Sequence, residues 1–442
     1  MQDSPDNKEA MSCDVTYTLS DEGGKTVSGG QAKATLDDTS LIIEQMSREN
    51  FAIAYTDIVG ISDENYIIKL ILSSNHMVTL NQIGYEYENF LTTLYRMKNE
   101  LFIKYLLMNE GLRVAQIEAN LTYASKGQDV FTDLCEVRLY DSALLILPRK
   151  HKPLRVPYCY IYDARVEDYS FIVETESEER LTFTQMGEKR DYLRRSLSEA
   201  INELTTRTQK IIGEIQPQID TIKKRRLADL LKEGRAAEKA EIDKVTPEFW
   251  AQLELKARAM GLSESYDFLK ELSRNDKISL GVKRSLTQSE VEDYIWFLIP
   301  IYSEDPSVPG NAVALEATTG VDEGRATYFF RILSRGDYAT KKDLSKLNSE
   351  YDVFLKTLNR CMIEINFRRE PIYLTDEQLS DPKYIHYKFA VQEIPSLQKL
   401  RDLFIGRVIH YNVDQWKSDV TALLRFNTEE KNDDARYAKK AE

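Results

Sequence analysis

The sequence predicts an α+β protein. Two tandem modules, each a bent antiparallel sheet closed by a C-terminal helix, precede a helical linker and a C-terminal α+β domain. The main observation is a gap-free internal repeat: residues 36–100 align with 139–203 at a constant offset of 103, with 15 identities in 65 positions. The second is that each copy changes from strand-like to helix-like apolar spacing. The third is the length of 442 residues, which has room for about three domains.

The strands of each module are predicted from alternating apolar residues. In the first copy Tyr66, Ile68 and Leu70 alternate with other residues, and their equivalents in the second copy do the same. This period of two is typical of a strand with one buried face. After Gly84 and Gly187 the apolar spacing changes to three and four residues, which predicts an amphipathic helix at the end of each copy.

The segment after the second module is predicted to be helical and charged. Pro217 should break the helix that closes the module, because proline removes a helical hydrogen bond. The stretch 207–290 is the basic part of the chain, with 17 Lys and Arg against 14 Asp and Glu. A solvated linker helix is the first interpretation. An interdomain strut, or self-association through the helix at 189–240, is the alternative.

Three apolar runs predict strands in the C-terminal domain, at 294–302, 311–319 and 325–333. A long amphipathic helix is predicted at 344–367 and a final helix at 414–426. Because strands precede a helix, a third, diverged copy of the module is an open alternative. The predicted organisation is therefore a flexible N-terminal arm (1–28), module one (29–127), module two (128–206), the helical linker (207–290), the C-terminal domain (291–428) and a flexible tail (429–442). An early strand at 15–19 within the arm is an open alternative.

The second module carries a resemblance to a known family. Its apolar segments at 144–147, 156–161, 169–173 and 181–183, followed by the helix from Lys189, resemble the pleckstrin-homology (PH) and GRAM-like superfamily, particularly its bacterial PH-like members. The resemblance covers about residues 30–130 and 131–206. It implies two tandem PH-like domains. It also implies a binding role, since some members hold phosphorylated head groups in basic hairpin loops and tandem modules occur in eukaryotic histone chaperones.

Composition narrows the class of function. The formal net charge of −13 argues against general nucleic-acid binding. No apolar run is long enough for a transmembrane helix, and the polar N-terminus is unlike a signal peptide. The four cysteines have no paired spacing, which is typical of reduced thiols. We therefore expect a cytoplasmic protein, with peripheral membrane attachment as an alternative.

Catalytic and metal-binding patterns are missing from the sequence. The four histidines and four cysteines have no metal-ligand spacing, so no metal and no cofactor are predicted. No phosphate-loop or nucleotide-binding glycine motif is present. We expect a protein that is not an enzyme. The alternative is a scattered site in the C-terminal domain, with polar candidates Arg331, Arg335, Glu364, Arg368 and Arg369.

One local cluster is a candidate ligand site. Arg149, Lys150, Lys152 and Arg155 crowd the predicted loop between two strands of module two. Arginine and lysine together suit a phosphate or another anionic ligand. The competing interpretation is a hairpin tip that its charge keeps soluble. Residues 149–155 are called the basic loop below.

These observations predict a non-enzymatic intracellular binding or scaffold protein whose tandem modules recognise protein or peptide partners. Two alternatives remain open. One is peripheral binding to anionic lipid through the basic loop. The other is a histone-chaperone-like acidic protein that binds basic partners, which depends on the family resemblance alone.

Overall fold

The computed structural model describes residues 11–45, 49–106, 111–127, 130–273, 275–284, 293–303, 310–318, 325–340 and 344–429. The chain forms two compact units. The first contains Met1–Ser198 and Asp376–Glu393, and the second contains Glu199–Thr375 and Ile394–Glu442.

The strands are numbered in chain order. They are β1 Met11–Ser20, β2 Thr26–Leu36, β3 Ser40–Gln45, β4 Phe51–Ala54, β5 Ile58–Glu64, β6 Ile67–Leu72, β7 Met77–Asn81, β8 Leu112–Ser125, β9 Phe131–Tyr140, β10 Ala143–Pro148, β11 Leu154–Pro157, β12 Ile161–Glu167, β13 Ser170–Thr175, β14 Glu179–Thr184, β15 Ala237–Glu238, β16 Ser279–Arg284, β17 Asp293–Ile301, β18 Ala312–Thr318, β19 Ala326–Arg331 and β20 Phe404–Ile409.

The helices are numbered in the same way. They are α1 Tyr87–Leu106, α2 Lys189–Ile215, α3 Thr221–Leu231, α4 Lys239–Val245, α5 Pro247–Ala257, α6 Ser263–Glu271, α7 Arg335–Thr340, α8 Leu344–Glu364, α9 Glu370–Tyr373, α10 Asp376–Leu379, α11 Ile385–Glu393, α12 Pro395–Leu403 and α13 Val413–Glu429.

The first unit contains two seven-stranded antiparallel sheets with the same topology. Their strand orders are β4-β3-β2-β1-β7-β6-β5 and β11-β10-β9-β8-β14-β13-β12, so each strand of the second sheet is the seventh after its counterpart. The register repeats as well: Leu41 pairs with Ile53, and Leu144 pairs with Val156. Each sheet curls around its own apolar core and is followed by a helix, α1 or α2. The predicted α+β fold of two tandem modules is confirmed.

Several of the repeated identities have a structural explanation. The buried hydroxyl of Tyr55 donates to the carbonyl of Asp37 at 2.7 Å, and that of Tyr158 donates to the carbonyl of Tyr140 at 2.7 Å. These pairs are themselves related by the repeat offset. Gly84 and Gly187 both have positive φ, at 73° and 57°, a conformation that glycine adopts without a steric penalty.

The predicted beginning of the first module was wrong. Residues 1–28 were expected to be a flexible arm, and residues 1–10 lie outside the described part. Met11–Ser20, however, forms β1 at the centre of the first sheet, paired with β2 and β7. Alternating apolar residues around the expected early strand at 15–19 are its local signal. Its hydrogen bonds to β7 join residues that are distant in sequence, and this pairing was not predicted.

The boundary between the modules was also misplaced. Residues 112–125 were assigned to module one but form β8, which is paired with β9 and β14 of the second sheet. The repeat therefore extends on the N-terminal side of the aligned segment, because β1 and β2 have their equivalents in β8 and β9.

The two modules of the first unit pack together through α1. Ile103 on α1 is buried in one apolar cluster with Tyr140, Leu145 and Leu147 of the second sheet. The segment Asp376–Glu393 adds α11 to this unit, where Phe389 stacks edge-on against Phe102 and Tyr105. Helix α1 is thus enclosed by the second module and by a helix from much later in the chain.

The second unit is built on a six-stranded antiparallel sheet in the order β15-β16-β17-β18-β19-β20. The predicted strands at 294–302, 311–319 and 325–333 are confirmed as β17, β18 and β19, and the predicted long helix is α8. All six residues of β19 are buried, as expected for a strand covered on both faces. Among the described strands the order is sequential and unlike that of the modules, so the interpretation as a third module was wrong.

The linker prediction for 207–290 was wrong. Helix α2 ends at Ile215, before Pro217 as predicted, but α3, α5 and β16 contribute to the core of the second unit. Leu227 and Leu231 of α3 and Phe249 of α5 are fully buried there. The high charge of this stretch conceals a narrow apolar stripe on each helix. The predicted flexible tail, 429–442, lies outside the described residues except for Glu429, the last residue of α13.

Candidate binding groove

A groove of about 630 Å³ lies in the first unit between α1 and the strands β8, β9 and β10. It is called the acidic groove because four carboxylates line it; Lys150 pairs with Glu88 and Arg138 with Glu100 and Glu136, so among the described residues Glu118 is the one of the four without an ion pair. The charged lining residues are Glu88, Glu100, Glu118, Glu136, Arg96 and Arg149. Those on α1 are spaced by four residues or a multiple of four, which places them on one face of the helix. Leu134, Leu147 and Pro148 add an apolar wall.

The floor of the acidic groove contains two like charges in direct opposition. Glu118 of β8 and Glu136 of β9 are cross-strand partners. Like charges at such positions destabilise a sheet. Arg138 compensates for one of them, since its guanidinium donates to Glu136 at 2.5 Å and to Glu100 at 2.6 Å. Glu118 is exposed, and the described residues provide no ion-pair partner for it.

The surroundings of Arg138 explain its charge state. Burial alone would lower the pKa of its guanidinium, but the hydrogen bonds that it donates to Glu100 and Glu136 raise that pKa above its ordinary value. Arg138 therefore remains a fixed cation beneath the groove. Cys135, which also lines the groove, is kept as a thiol because burial raises its pKa to about 12, so it is not a nucleophile there.

A second acidic depression adjoins the groove. It has a volume of about 480 Å³ and is lined by Asp37, Asp38 and Glu86. It shares Asn89 and Arg96 of α1 with the acidic groove. Negative charge therefore lies on both sides of the first turns of α1.

The basic loop is used inside the first unit. The ammonium of Lys150 lies 3.0 Å from Glu88 and 3.5 Å from Asp63, both in the first module. The hydrogen bond to Glu88 raises the pKa of Lys150. The ammonium of Lys152 lies 3.0 Å from Glu393 of α11. Two of the four predicted ligand-binding residues are thus already paired with carboxylates of the protein.

The other two predicted residues are placed differently. Arg149 is exposed at the edge of the acidic groove, and Arg155 is half-buried in β11, where it pairs with Leu145 of β10. His151 stacks on Phe131 with ring centroids 3.9 Å apart and contacts Asp133 at 2.9 Å. The four basic side chains therefore do not converge on one ligand position.

The polar candidates of the C-terminal domain have structural contacts. Arg331 is buried and donates to Asn427 at 2.9 Å, Glu364 accepts from Arg360 and Ser396, and Arg369 lies over the ring of Tyr328. Arg368 follows α8, and Arg335 begins α7, where its side chain lies outside the described part. These contacts give Arg331, Glu364 and Arg369 a role in the fold.

A buried polar cluster in the second unit was not foreseen. Its members lie on α6, β18 and β19, directly before β19 and directly after β20; they are Ser265, Glu316, Thr327, Arg325 and His410. Glu316 is 0% exposed, and the two hydroxyl-bearing residues are also buried. Arg325 and His410 are half-buried, and the hydrogen bonds and ion pairs of the cluster connect α6, β18 and the neighbouring ends of β19 and β20.

Two absences apply to the described residues. Within them, no group of His, Cys, Asp and Glu side chains is arranged to hold a metal ion. None of the helices in the described part of the chain has the length and apolar character needed to span a membrane.

Comparison with known proteins does not identify a family for this chain. No family model and no curated protein matches the sequence. Among solved structures, one chain of the Spt16D–Pob3N heterodimer is similar over 38% of this chain and 83% of its own length, with 14% identity and a TM-score of 0.16. At that TM-score the similarity carries no argument, so the description of the modules depends on their strand order and on the repeat.

The sequence did not identify the residues of the acidic groove. Glu100, Glu118 and Glu136 are ordinary acidic residues in an acidic chain, and β8 had been assigned to the wrong module. The available signal was the repeat itself, which assigns β8 and β9 to the second module as the equivalents of β1 and β2. It does not give their register, because Val15 pairs with Ala32 whereas Glu118 pairs with Glu136.

Proposed function

We propose that the protein is a non-enzymatic binding or scaffold protein whose two PH-like modules together recognise a basic segment of a protein partner. The acidic groove is the recognition surface. The observation that carries this proposal is the cross-strand pair Glu118–Glu136, in which Arg138 compensates for only one of the two carboxylates.

The physical reason is local electrostatics. Two carboxylates in direct opposition repel each other, so a cation that lies between them is favoured. A Lys or Arg side chain from a partner would supply it, and arginine would add a two-pronged hydrogen bond to a carboxylate. The volume of about 630 Å³ and the apolar wall suit an extended or helical peptide segment rather than a single ion.

Binding to anionic lipid through the basic loop is the weaker candidate. Lys150 and Lys152 would first have to leave Glu88 and Glu393. The other alternative from the sequence was a histone-chaperone-like acidic protein that binds basic partners. The proposal keeps the binding of a basic partner from that alternative.

Fluorescence anisotropy tests the proposal with the full chain and two labelled peptides of about ten residues, one rich in Lys and Arg and one rich in Glu. We expect only the basic peptide to bind, and its affinity to fall as salt rises from about 50 to about 300 mM. Glu118→Gln should weaken binding about two- to fivefold. The matched control is Glu44→Gln, at an exposed position of β3.

Equal binding of the two peptides would contradict the proposal. So would equal affinity of the E118Q and E44Q variants for the basic peptide, because the cation would then not be bound at the groove.

A further inference from the structure

The strongest concentration of positive charge in the chain lies at the start of α3. Residues 223–226 are Lys-Lys-Arg-Arg, the one run of four consecutive cations in the sequence. Arg225 and Arg226 are exposed. Among the described residues, neither has a hydrogen bond or an ion-pair partner. They differ in this from Lys150 and Lys152, which are paired within the first unit.

The two arginines share a face of α3 with an apolar residue. Leu227, Ala228 and Leu231 face the core of the second unit. Ile222 is three and four residues before Arg225 and Arg226, so the three lie on the opposite face. Ile222 is 67% exposed. An isoleucine flanked by two unpaired guanidinium groups is a combined apolar and cationic surface.

The acidic groove is complementary to this surface in both respects. Its exposed Glu118 can accept from an arginine fork, and its apolar wall of Leu134, Leu147 and Pro148 can cover Ile222. We infer that the face of α3 formed by Ile222, Arg225 and Arg226 docks in the acidic groove of a second copy of this chain.

The inference rests on the proposed function, because it takes the groove to be a receptor for basic segments and names one that the chain carries. The contact joins two different surfaces. Interfaces of this kind form rings when they close and open chains when they do not. Association should therefore depend on concentration and weaken with added salt.

Sedimentation velocity of the full chain tests the inference. We expect the mass of the wild type to increase with concentration at about 50 mM salt and to return to that of a monomer at about 300 mM. A helix variant, R225E/R226E, and a groove variant, E118R, should each remain monomeric. An equimolar mixture of the two should associate again, because each groove then meets a helix of opposite charge.

A matched control separates local charge from net charge. R194E/R195E reverses two adjacent exposed arginines of α2 and changes the net charge as much as the helix variant does; it should behave as the wild type. Thermal unfolding followed by circular dichroism checks that each variant is folded. If the helix variant is not, R225Q/R226Q replaces it, with an expected loss of association of about tenfold or less.

Several results would overturn the inference. A monomeric wild type at all concentrations would do so, as would a mixture that fails to associate or a control that loses association equally. If the helix variant associates normally but no longer floats with anionic vesicles, α3 is a lipid-binding surface instead. If the wild type is monomeric but binds the basic peptide, the inference fails and the proposed function stands; if it does neither, both fail.

Discussion

The ammonium of Lys98 lies 3.1 Å from a carboxylate oxygen of Glu393, and both side chains are buried, with exposures of 8% and 2%. Lys98 belongs to α1 and Glu393 ends α11, 295 residues later in the sequence. The second oxygen of Glu393 lies 3.0 Å from Lys152 of the basic loop. One carboxylate therefore connects the first module, the second module and α11 within the first unit.

Removing this carboxylate should destabilise the first unit. In an E393A variant Lys98 loses its buried partner, and we expect a loss of about 3 kcal/mol in the free energy of unfolding. Burial already lowers the pKa of Lys98 although Glu393 opposes the shift. When the pKa of a lysine is lowered in the folded state, the free energy of unfolding of the protein increases as pH rises. The difference in stability between E393A and the wild type should therefore diminish toward about pH 10. Urea unfolding at several pH values measures this.

The double variant K98M/E393L is the control for that measurement. Replacing both charges with apolar groups leaves no unpaired charge in the core, so its stability should lie within about 1 kcal/mol of the wild type. A double variant as unstable as E393A would show that the ion pair is not the cause.

The repeated tyrosines should contribute equally in the two modules. Tyr55 and Tyr158 make the same hydrogen bond, at 2.7 Å in each copy. Removing either hydroxyl leaves a carbonyl with one partner fewer in a buried environment, so Y55F and Y158F should each cost about 1–2 kcal/mol. The comparison variant is Y66F, at a position 76% exposed, which should change the urea midpoint very little. A large difference between Y55F and Y158F would argue against the equivalence of the modules.

The second unit should lose stability in acid as Glu316 becomes protonated. Burial would raise the pKa of this carboxyl, but the hydrogen bond and charge of His410, together with Arg325 and Thr327, hold it below its usual value. A lowered folded pKa stabilises the fold at pH values above the unfolded pKa of about 4.3, and this contribution disappears as pH falls through the folded pKa.

The variant E316Q isolates this effect. Urea unfolding between about pH 3 and pH 7 should show E316Q less stable than the wild type at neutral pH by about 1–3 kcal/mol, with the two converging in acid. A constant difference across the range would mean that Glu316 does not titrate as described.

Neutralising the basic loop should affect stability rather than lipid binding. K150A/K152A removes the contacts to Glu88, Asp63 and Glu393, at an expected cost of about 1–2 kcal/mol, since one of the three carboxylates is buried. Flotation with vesicles of about 30% phosphatidylserine should be the same for wild type and variant. A loss of flotation in the variant would restore the lipid alternative.

The repeat explains how much of the fold could be predicted. Its constant offset requires equivalent strands, and the pairs Leu41–Ile53 and Leu144–Val156 show that even the register follows. Pro217 correctly marked the end of α2 because the rule that proline breaks a helix is local. The continuous apolar run of β17 and the helical spacing of α8 are local signals as well, and both elements were predicted from them.

Features that depend on distant pairing were missed. The pairing of β1 with β7 brings Thr18 against Thr79, and no local pattern around residue 18 indicates that. Helix α11 belongs to the first unit because Phe389 and Glu393 meet Phe102 and Lys98, whereas its own sequence predicts at most a helix. The acidic groove is likewise formed by α1 of one module and β8 and β9 of the other.

The most direct test of the account is hydrogen exchange of the full chain with and without the Lys- and Arg-rich peptide. The account predicts that the peptide slows exchange in 86–100, 117–121 and 133–137, the segments that line the acidic groove, and that E118Q reduces this protection. Protection elsewhere with none at these segments would contradict it.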